Sequence, residues 1–140
     1  MRVNWLAILT SAIVFFLFGG VWFKVLGDPW ARALGSTAAA MAASNAHAYT
    51  YAVAFVMGFF IAYGLARIIL WRGDLNPLRG ATIGFSFALL IFGAGTWLDY
   101  AFEHRSVVLG LINVGYMAIG MAIQGAILSS WKPKSAQESL

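Results

Sequence analysis

The sequence predicts an all-α integral membrane protein, a four-helix bundle with short loops and a short interfacial helix after the first span. Four apolar stretches are each long enough to cross a bilayer, whose hydrocarbon core of about 30 Å needs about 20 helical residues. Hydrophobic residues make up 61% of the 140 residues and charged residues only 10%, whereas soluble domains carry about 25% charged residues. The apolar runs do not alternate strictly with polar residues, which favours helices over a membrane β-barrel.

Polar residues divide the chain into four spans and a tail. Tryptophans lie near the ends of these spans, where indole rings anchor helices at the membrane interface, at Trp5, Trp22, Trp71, Trp97 and Trp131. Residues 1–131 are predicted to form a single transmembrane domain, with spans at residues 5–26, 49–71, 78–98 and 107–131 and a polar C-terminal tail at residues 132–140.

The first span and the segment after it contain two signals. The apolar run continues through Gly20 into Phe23 without a small-residue cleavage site, so we expect it to be retained as a membrane anchor and not cleaved as a signal peptide. Asp28 followed by Pro29 predicts the start of the short interfacial helix, because Asp accepts bonds from free N–H groups and Pro is tolerated in the first turn. This helix is predicted to end near Gly35.

The remaining connections are short. Residues 36–46 are rich in Ala, Ser and Thr, and form either a loose connector or a low-complexity lead into the second span. Residues 73–77 predict a tight turn in which Pro77 opens the third helix. Residues 99–106 join the third and fourth spans. These lengths leave no room for a soluble domain.

Small residues at intervals of four predict where the helices pack. Lipid provides no hydrophobic drive for association, so helices in membranes approach one another through small side chains. Such faces lie on the second and fourth spans, at Ala54, Gly58, Ala62 and Ala66, and at Ala118, Ala122 and Ala126. On the third span we expect the packing arc to contain Thr82, Ser86, Leu89, Gly93 and Thr96.

Polar groups within the spans are the first candidates for function, because they are costly in hydrocarbon. Asn113 and Gln124 fall on nearly one line of the fourth span, with Tyr116 beside it. The interpretation we favour is that both amides pair with hydroxyls of the third span, at about 0.6 kcal/mol each. The alternative is a path for a polar solute. The candidate ligand or pathway residues are Asn113, Tyr116, Gln124, Thr82, Ser86 and Thr96.

Asp99, Glu103 and His104 cluster at the outer end of the third span. Carboxylates and imidazoles are able to bind a divalent metal or to act as acid and base. A solvated surface run is the interpretation we favour, because charged loops are common beside membranes. The sequence contains no zinc-protease, nucleophile-elbow or phosphate-loop motif. We therefore predict no catalytic residue, metal or cofactor, apart from contact with lipid, quinone or pigment.

Basic residues are distributed unevenly between the two sides of the predicted bundle. The side with both termini and the second loop carries six basic and two acidic residues, a net charge of +4, and the other side carries three of each. Because positively charged loops remain in the cytoplasm, both termini are predicted to be cytoplasmic. Cations at membrane ends meet anionic headgroups, and we predict no nucleic-acid partner.

Motifs at the two ends of the chain resemble those of a known family. The first reads Gly-Val-Trp-Phe at residues 20–23 and Gly-Asp-Pro-Trp at residues 27–30. The second reads Ile-Asn-Val-Gly-Tyr at residues 112–116 and Gly-Ala-Ile-Leu at residues 125–128. The chain thus resembles the DUF1761 family of small bacterial four-span proteins. The positions that carry the resemblance are Gly20, Trp22, Gly27, Trp30, Gly115 and Gly125.

The chain also departs from this family's pattern. Phe23 stands where the family usually has Tyr, Lys24 where it has Ser, and Met117 where it has His. If the tyrosine and the histidine perform chemistry in relatives, this chain lacks both groups. The resemblance implies a bacterial membrane protein with four spans, and it implies no particular activity.

Two function classes follow from the sequence. The first is a non-enzymatic protein of the bacterial inner membrane, an accessory, structural or hydrophobic-ligand-binding component that contacts lipids and forms a homo-oligomer or joins a larger membrane complex. The alternative is a small homo-oligomeric permease or channel for a small solute, since four helices are too few for a wide transport path. The first class is favoured, because aromatic residues make up 16% of the chain and polar groups within the spans are few.

Overall fold

The computed structural model describes residues 2–73 and 76–131, and over these residues it contains helices and no strand. The chain forms α1 (Trp5–Val25), α2 (Gly27–Ala33), α3 (Ala38–Ser44), α4 (Ala48–Arg72), α5 (Pro77–Phe87), a π-helical segment (Ala88–Gly93), α6 (Ala94–Phe102) and α7 (Val107–Ser130). The four helices long and apolar enough to cross a membrane are α1, α4, the continuous helix Pro77–Phe102 and α7. The predicted all-helical class and its four long apolar segments are confirmed.

Side chains at the helix ends explain where the long helices begin and stop. The Asn4 side-chain oxygen accepts hydrogen bonds from the N–H groups of Leu6 and Ala7 at 3.1 and 3.2 Å, which caps α1. Asn76 caps α5 in the same way, and Pro77 opens that helix as predicted. Gly73 ends α4 in the left-handed conformation with φ of 76°, which glycine adopts without steric cost. The predicted turn at residues 73–77 includes residues 74 and 75, which lie outside the described residues.

The connection after the first span is more helical than predicted. Helix α2 begins at Gly27, so Asp28 lies inside its first turn and does not cap it by a side-chain bond. The Ala-rich stretch at residues 36–46 forms α3, because Ala is a strong helix former and Thr37 caps the helix by accepting the N–H of Ala40. No residue of α3 is buried.

Helix α7 lies at the centre of the bundle. It packs against α1, α4 and α5, while α1 and α4 also pack against each other. One core cluster joins α1, α4 and the end of α7 through residues such as Ile8, Leu65 and Leu128. A second joins Phe15 of α1, Ala88 of the third span and Met117 of α7. The same helix therefore contributes to both halves of the core.

Glycines bring α5 and α7 into direct backbone contact. A Cβ atom added at Gly80 would overlap the Gly125 carbonyl oxygen and Ser129 Oγ, and one added at Gly84 would overlap the Met121 carbonyl oxygen. No side chain fits between the two helices here, so their separation is set by the backbones. Gly80 and Gly84 form a G-x-x-x-G pattern, a signal that identifies such contacts from sequence.

The π-helical segment keeps the third span in phase with α7. The buried positions Gly80, Gly84 and Ala88 are four apart, but the next buried position, Gly93, comes five residues later. A π-helix takes one extra residue per turn, so this insertion returns Gly93 to the same face, beside Val114 of α7. The third span therefore keeps the same face toward α7 before and after the π-helical segment.

The packing arc expected on the third span is partly wrong. Gly93 is buried and Ser86 and Thr96 are partly buried, but Thr82 and Leu89 are exposed. Gly80 and Gly84 allow α5 to approach α7 more closely than residues with hydroxyl side chains would. The face of the third span that packs on α7 is therefore the one that carries these glycines, next to the predicted face. A regular 100° turn per residue also fails to follow the helix through the π-helical segment.

Candidate functional site

Three aromatic rings of α1 contact Tyr116 of α7, and a ring of α2 packs behind them. The Tyr116 ring centroid lies 5.1 Å from that of Phe15, 5.8 Å from that of Phe18 and 5.2 Å from that of Phe23, all on α1. Trp30 of α2 packs edge-on against Phe23 at 5.2 Å. Ring pairs at these separations are favourable beyond their buried area. We call these five residues, together with Trp22, the aromatic cluster.

Glycines make room for the aromatic cluster. A Cβ atom at Gly19 would lie 2.9 Å from the Tyr116 hydroxyl oxygen, and one at Gly115 would lie 3.3 Å from Cζ2 of Trp22. Trp22 also packs against Phe18 with ring centroids 5.6 Å apart. Its indole Nε1 is buried without a hydrogen-bond partner among the described residues. The cluster is thus a tightly packed joint between α1 and α7.

The positions that carry the family resemblance fall into three groups in the structure. Trp22, Trp30 and Gly115 belong to the aromatic cluster or line it. Gly125 lies at the α5–α7 backbone contact instead. Gly20 and Gly27 have no atom within 4 Å of an added Cβ. The motifs from the two ends of the chain therefore meet at the aromatic cluster, but only Trp22, Trp30 and Gly115 take part.

Gln124 is a fully buried amide in the middle of the bundle. It is 0% exposed, and its Nε2 donates a hydrogen bond of 3.1 Å to the carbonyl oxygen of Gly58. The expected pairing with a hydroxyl of the third span is wrong for Gln124, because its side chain bonds to α4 while its neighbours Met121 and Gly125 contact α5. Its Oε1 atom has no partner, and neither do the buried hydroxyls of Ser11 and Ser129, among the residues that the structure describes.

Asn113 does pair with the third span. Its Nδ2 donates a 2.9 Å hydrogen bond to the hydroxyl oxygen of Tyr100 in α6, in a partly buried setting. Although Asn113 and Gln124 share one line on α7, they meet different helices, because α7 contacts different neighbours along its length. The two amides therefore connect α7 to two other helices.

The third-span hydroxyls do not assemble a polar path with these amides. Thr82 is exposed and donates to the carbonyl oxygen of Leu78 in its own helix at 2.9 Å. Ser86 and Thr96 are partly buried, and no hydrogen bond joins either residue to Asn113 or Gln124 within the described ranges.

Small residues of α4 and α7 contribute unequally to packing. Gly58, Ala62, Ala66 and Ala118 are buried, Ala122 and Ala126 are partly buried, and Ala54 is exposed. Gly58 receives the ring of Phe15, whose Cδ1 would lie 3.0 Å from an added Cβ. The predicted seam thus begins one turn later on α4 than expected, at Gly58 and not at Ala54.

The acidic residues after the third span do not converge. Among residues 2–73 and 76–131, no group of three or more His, Asp or Glu side chains is placed to hold a metal ion. Glu103 is paired with Arg105 at 2.8 Å, and this hydrogen bond and charge raise the pKa of the Arg105 guanidinium. His104 has a φ of 54° in the tight turn before α7, and Asp99 is exposed.

Sequence reasoning missed Phe15 and Phe18 as partners of Tyr116. Residues 15, 18 and 22 recur at helical spacing on one face of α1, and this aromatic stripe was the available signal. The pairing with Tyr116 itself depends on how α1 crosses α7, which no local pattern contains.

A protein-family model matches residues 6–129, nearly the whole chain, and its description is "Protein of unknown function (DUF1761)". No curated protein and no solved structure matches the chain.

Proposed function

The chain belongs to the DUF1761 family, and from this premise we propose that it is a non-enzymatic, multi-pass protein of the bacterial inner membrane. Its role is that of an accessory, structural or hydrophobic-ligand-binding component of a membrane assembly. The family description supplies no activity, so the proposal rests on the arrangement of polar and apolar groups in the bundle.

The outer surface supports a lipid environment. Large apolar side chains point outward along the spans, including Trp71 at 90% exposed, Phe102 at 81% and Leu90 at 74%. In water, contiguous apolar surface of this kind leads to association. In a bilayer it is the ordinary outer face of a span, since each backbone N–H and C=O group is bonded within its helix.

The functional proposal rests on the hydrogen bonds that the two interior amides make. Asn113 is bonded to Tyr100 and Gln124 to the Gly58 carbonyl, so both serve as contacts between helices. The aromatic cluster fills the α1–α7 joint, and the backbones of α5 and α7 touch. A bundle whose interior is occupied in this way favours a structural or binding role over passage of a solute.

The alternative, a small homo-oligomeric permease or channel, has its own supporting observation. Ser11, Gln124 and Ser129 each contain a buried polar atom without a partner in the described part of the chain. Buried polar atoms of this kind are commonly satisfied by water. A wet path through an oligomer would supply that water.

A flux measurement separates the two functions. Proteoliposomes that contain the purified protein are mixed rapidly with a concentrated glycerol solution. The rate of glycerol entry is measured from the change in vesicle volume, which is followed by stopped-flow light scattering. An accessory protein leaves the rate equal to that of protein-free vesicles. A protein-dependent rate that is lost in Gln124→Leu and retained in Ser130→Ala, a change at an exposed position of the same helix, would contradict the proposal and support the permease.

The proposed topology is tested with single cysteines, because the natural chain contains none. Ser44→Cys, in the exposed α3, is expected to react with a membrane-impermeant maleimide in intact spheroplasts. Ser135→Cys, beyond the last span, is expected to react only after permeabilisation if the termini are cytoplasmic. The reverse pattern would overturn the orientation, and recovery of the chain in the soluble fraction would overturn the membrane location.

A further inference from the structure

A cleft opens between α1, α4 and α7 at the end of the bundle that carries the termini. The cleft has a volume of about 20 Å³ and is partly open to the outside. Apolar side chains form the floor of the cleft, and its lining also includes the guanidinium of Arg2 and the indole ring of Trp131. The residues that matter to the argument are Ala7, Ala66, Leu70, Leu128, Arg2 and Trp131.

The positive charge at this cleft comes from a side chain. The first-turn N–H groups of Leu6 and Ala7 are already bonded to the Asn4 side chain, so the α1 N-terminus has little capacity for an anion there. Arg2 is exposed and, among the described residues, has no carboxylate partner. A guanidinium with free donors is well suited to bind a phosphate group.

The residues around Arg2 favour a ligand that has both an anionic and an apolar part over a free anion. Apolar side chains line the cleft beside the cation, and among them Leu70 is partly exposed while Ala7 and Ala66 are buried. Trp131, which is 38% exposed, lies at the same cleft, and indole rings favour the headgroup region of a bilayer. The ligand that matches both features has an anionic headgroup and a hydrocarbon chain.

We infer that this cleft binds an anionic phospholipid of the leaflet on the side of the termini. The phosphate contacts Arg2, and the first part of an acyl chain lies along the floor between α1 and α4. This side of the chain also carries the net charge of +4, which attracts anionic headgroups to it. The inference rests on the proposed membrane location and identifies one hydrophobic ligand of the proposed function.

The test is native mass spectrometry of the full chain after equilibration in equal amounts of phosphatidylglycerol and phosphatidylcholine. Wild-type protein is expected to retain phosphatidylglycerol preferentially. Arg2→Gln is expected to lower that preference about fivefold, the equivalent of about 1 kcal/mol for one basic residue at an anionic surface. Arg32→Gln makes the same charge change in α2, away from the cleft, and is expected to leave the preference unchanged.

A second variant tests the apolar floor separately. Leu70→Trp fills the groove and keeps Arg2, so it is expected to reduce retained phosphatidylglycerol while the thermal unfolding midpoint in detergent stays near that of wild type. Unchanged lipid retention in Leu70→Trp or in Arg2→Gln would overturn the inference, and so would an equal loss in Arg32→Gln.

Two further outcomes distinguish the explanations. Displacement of the lipid by excess inorganic phosphate would show that the cleft recognises phosphate alone, which contradicts the inference. If Arg2→Gln remains in the membrane fraction with unchanged lipid preference, the lipid site is wrong while the proposed membrane location stands.

Discussion

Single residues set the distance between helices in this protein. At Gly80, Gly84 and Gly125 the absence of a side chain brings the backbones of α5 and α7 together. Gly19 and Gly115 also lack a side chain, which leaves room for the ring of Tyr116 beside Gly19 and for the ring of Trp22 beside Gly115. In the proposed lipid environment, which does not drive helices together, van der Waals contact over such surfaces provides much of the association energy.

The first prediction concerns Gly84. Gly84→Ala is expected to destabilise the protein by about 1–3 kcal/mol, because the new methyl group overlaps the Met121 carbonyl and forces α5 away from α7. The measurement is the unfolding midpoint in mild detergent. Gly64→Ala is the matched control, since nothing lies within 4 Å of an added Cβ at Gly64. Equal stability of the two variants would contradict the backbone contact.

Of the three residues at which the chain departs from the resemblance, Phe23 and Met117 lie in packed positions and Lys24 is exposed. Phe23 contacts Tyr116 and Trp30 in the aromatic cluster, and Met117 is 9% exposed in the second core cluster. Their side chains here are apolar and serve packing. This agrees with the proposed non-enzymatic role of the chain.

At the scale of elements, the π-helical segment sets which face the second half of the third span presents to α7. It joins the glycine contact at one end of the third span to the packing of Trp97 against Gly110 at the other, where Cη2 of Trp97 would lie 2.6 Å from an added Cβ. Both contacts face α7 only because of the inserted residue. Its outer side chains, from Leu89 to Phe92, are exposed.

Deletion of Leu90 is expected to convert the π-helical segment to a regular α-helix. The rest of the span would then turn by about 100° relative to α7, which separates Trp97 from Gly110 and Tyr100 from Asn113. We expect a loss of about 2 kcal/mol or more in unfolding free energy, from packing and one interhelical hydrogen bond.

The control for this deletion is Leu90→Ala, which keeps the residue count. Leu90 is 74% exposed, so Leu90→Ala is expected to change the thermal midpoint little. If the deletion were as stable as Leu90→Ala, the extra residue would not be required for packing against α7.

At the scale of the whole molecule, burial is concentrated in α7. In the most apolar part of each span, 44% of the residues are buried in α7, against 28% in α1 and α4 and 17% in Pro77–Phe102. A helix that contacts every other span opens only when the whole bundle opens. The third span, in contrast, presents most of its surface outward.

Hydrogen–deuterium exchange in mild detergent checks this arrangement. Amides in the middle of α7 are expected to exchange slowest, at the rate of global unfolding, and those of α3 fastest, because α3 buries no residue. Protection of α3 equal to that of α7 would contradict the arrangement and would indicate that another molecule covers α3.

Local composition made the helices and their limits predictable. Pro77 opens a span and Gly73 closes one, and such signals act within a few residues. Asn113 was expected to bond to a hydroxyl of the third span, and it does bond to a hydroxyl of the third long helix, but that group belongs to Tyr100, beyond the predicted span at residues 78–98. In contrast, the role of Gly80 and Gly84 was missed although their spacing was visible, and the predicted arc of small hydroxyl residues was displaced from the true contact.

What the sequence determined by itself is the helical class and the four long apolar segments, because hydrocarbon length and backbone hydrogen bonding depend on each segment alone. Only the tertiary structure decided that Gln124 bonds to Gly58, that six aromatic residues gather around α7 and that Arg2 stands over an apolar cleft. These contacts depend on how the helices cross. Crossing and register are properties of pairs of segments distant in the chain, so no pattern within a single segment specifies them.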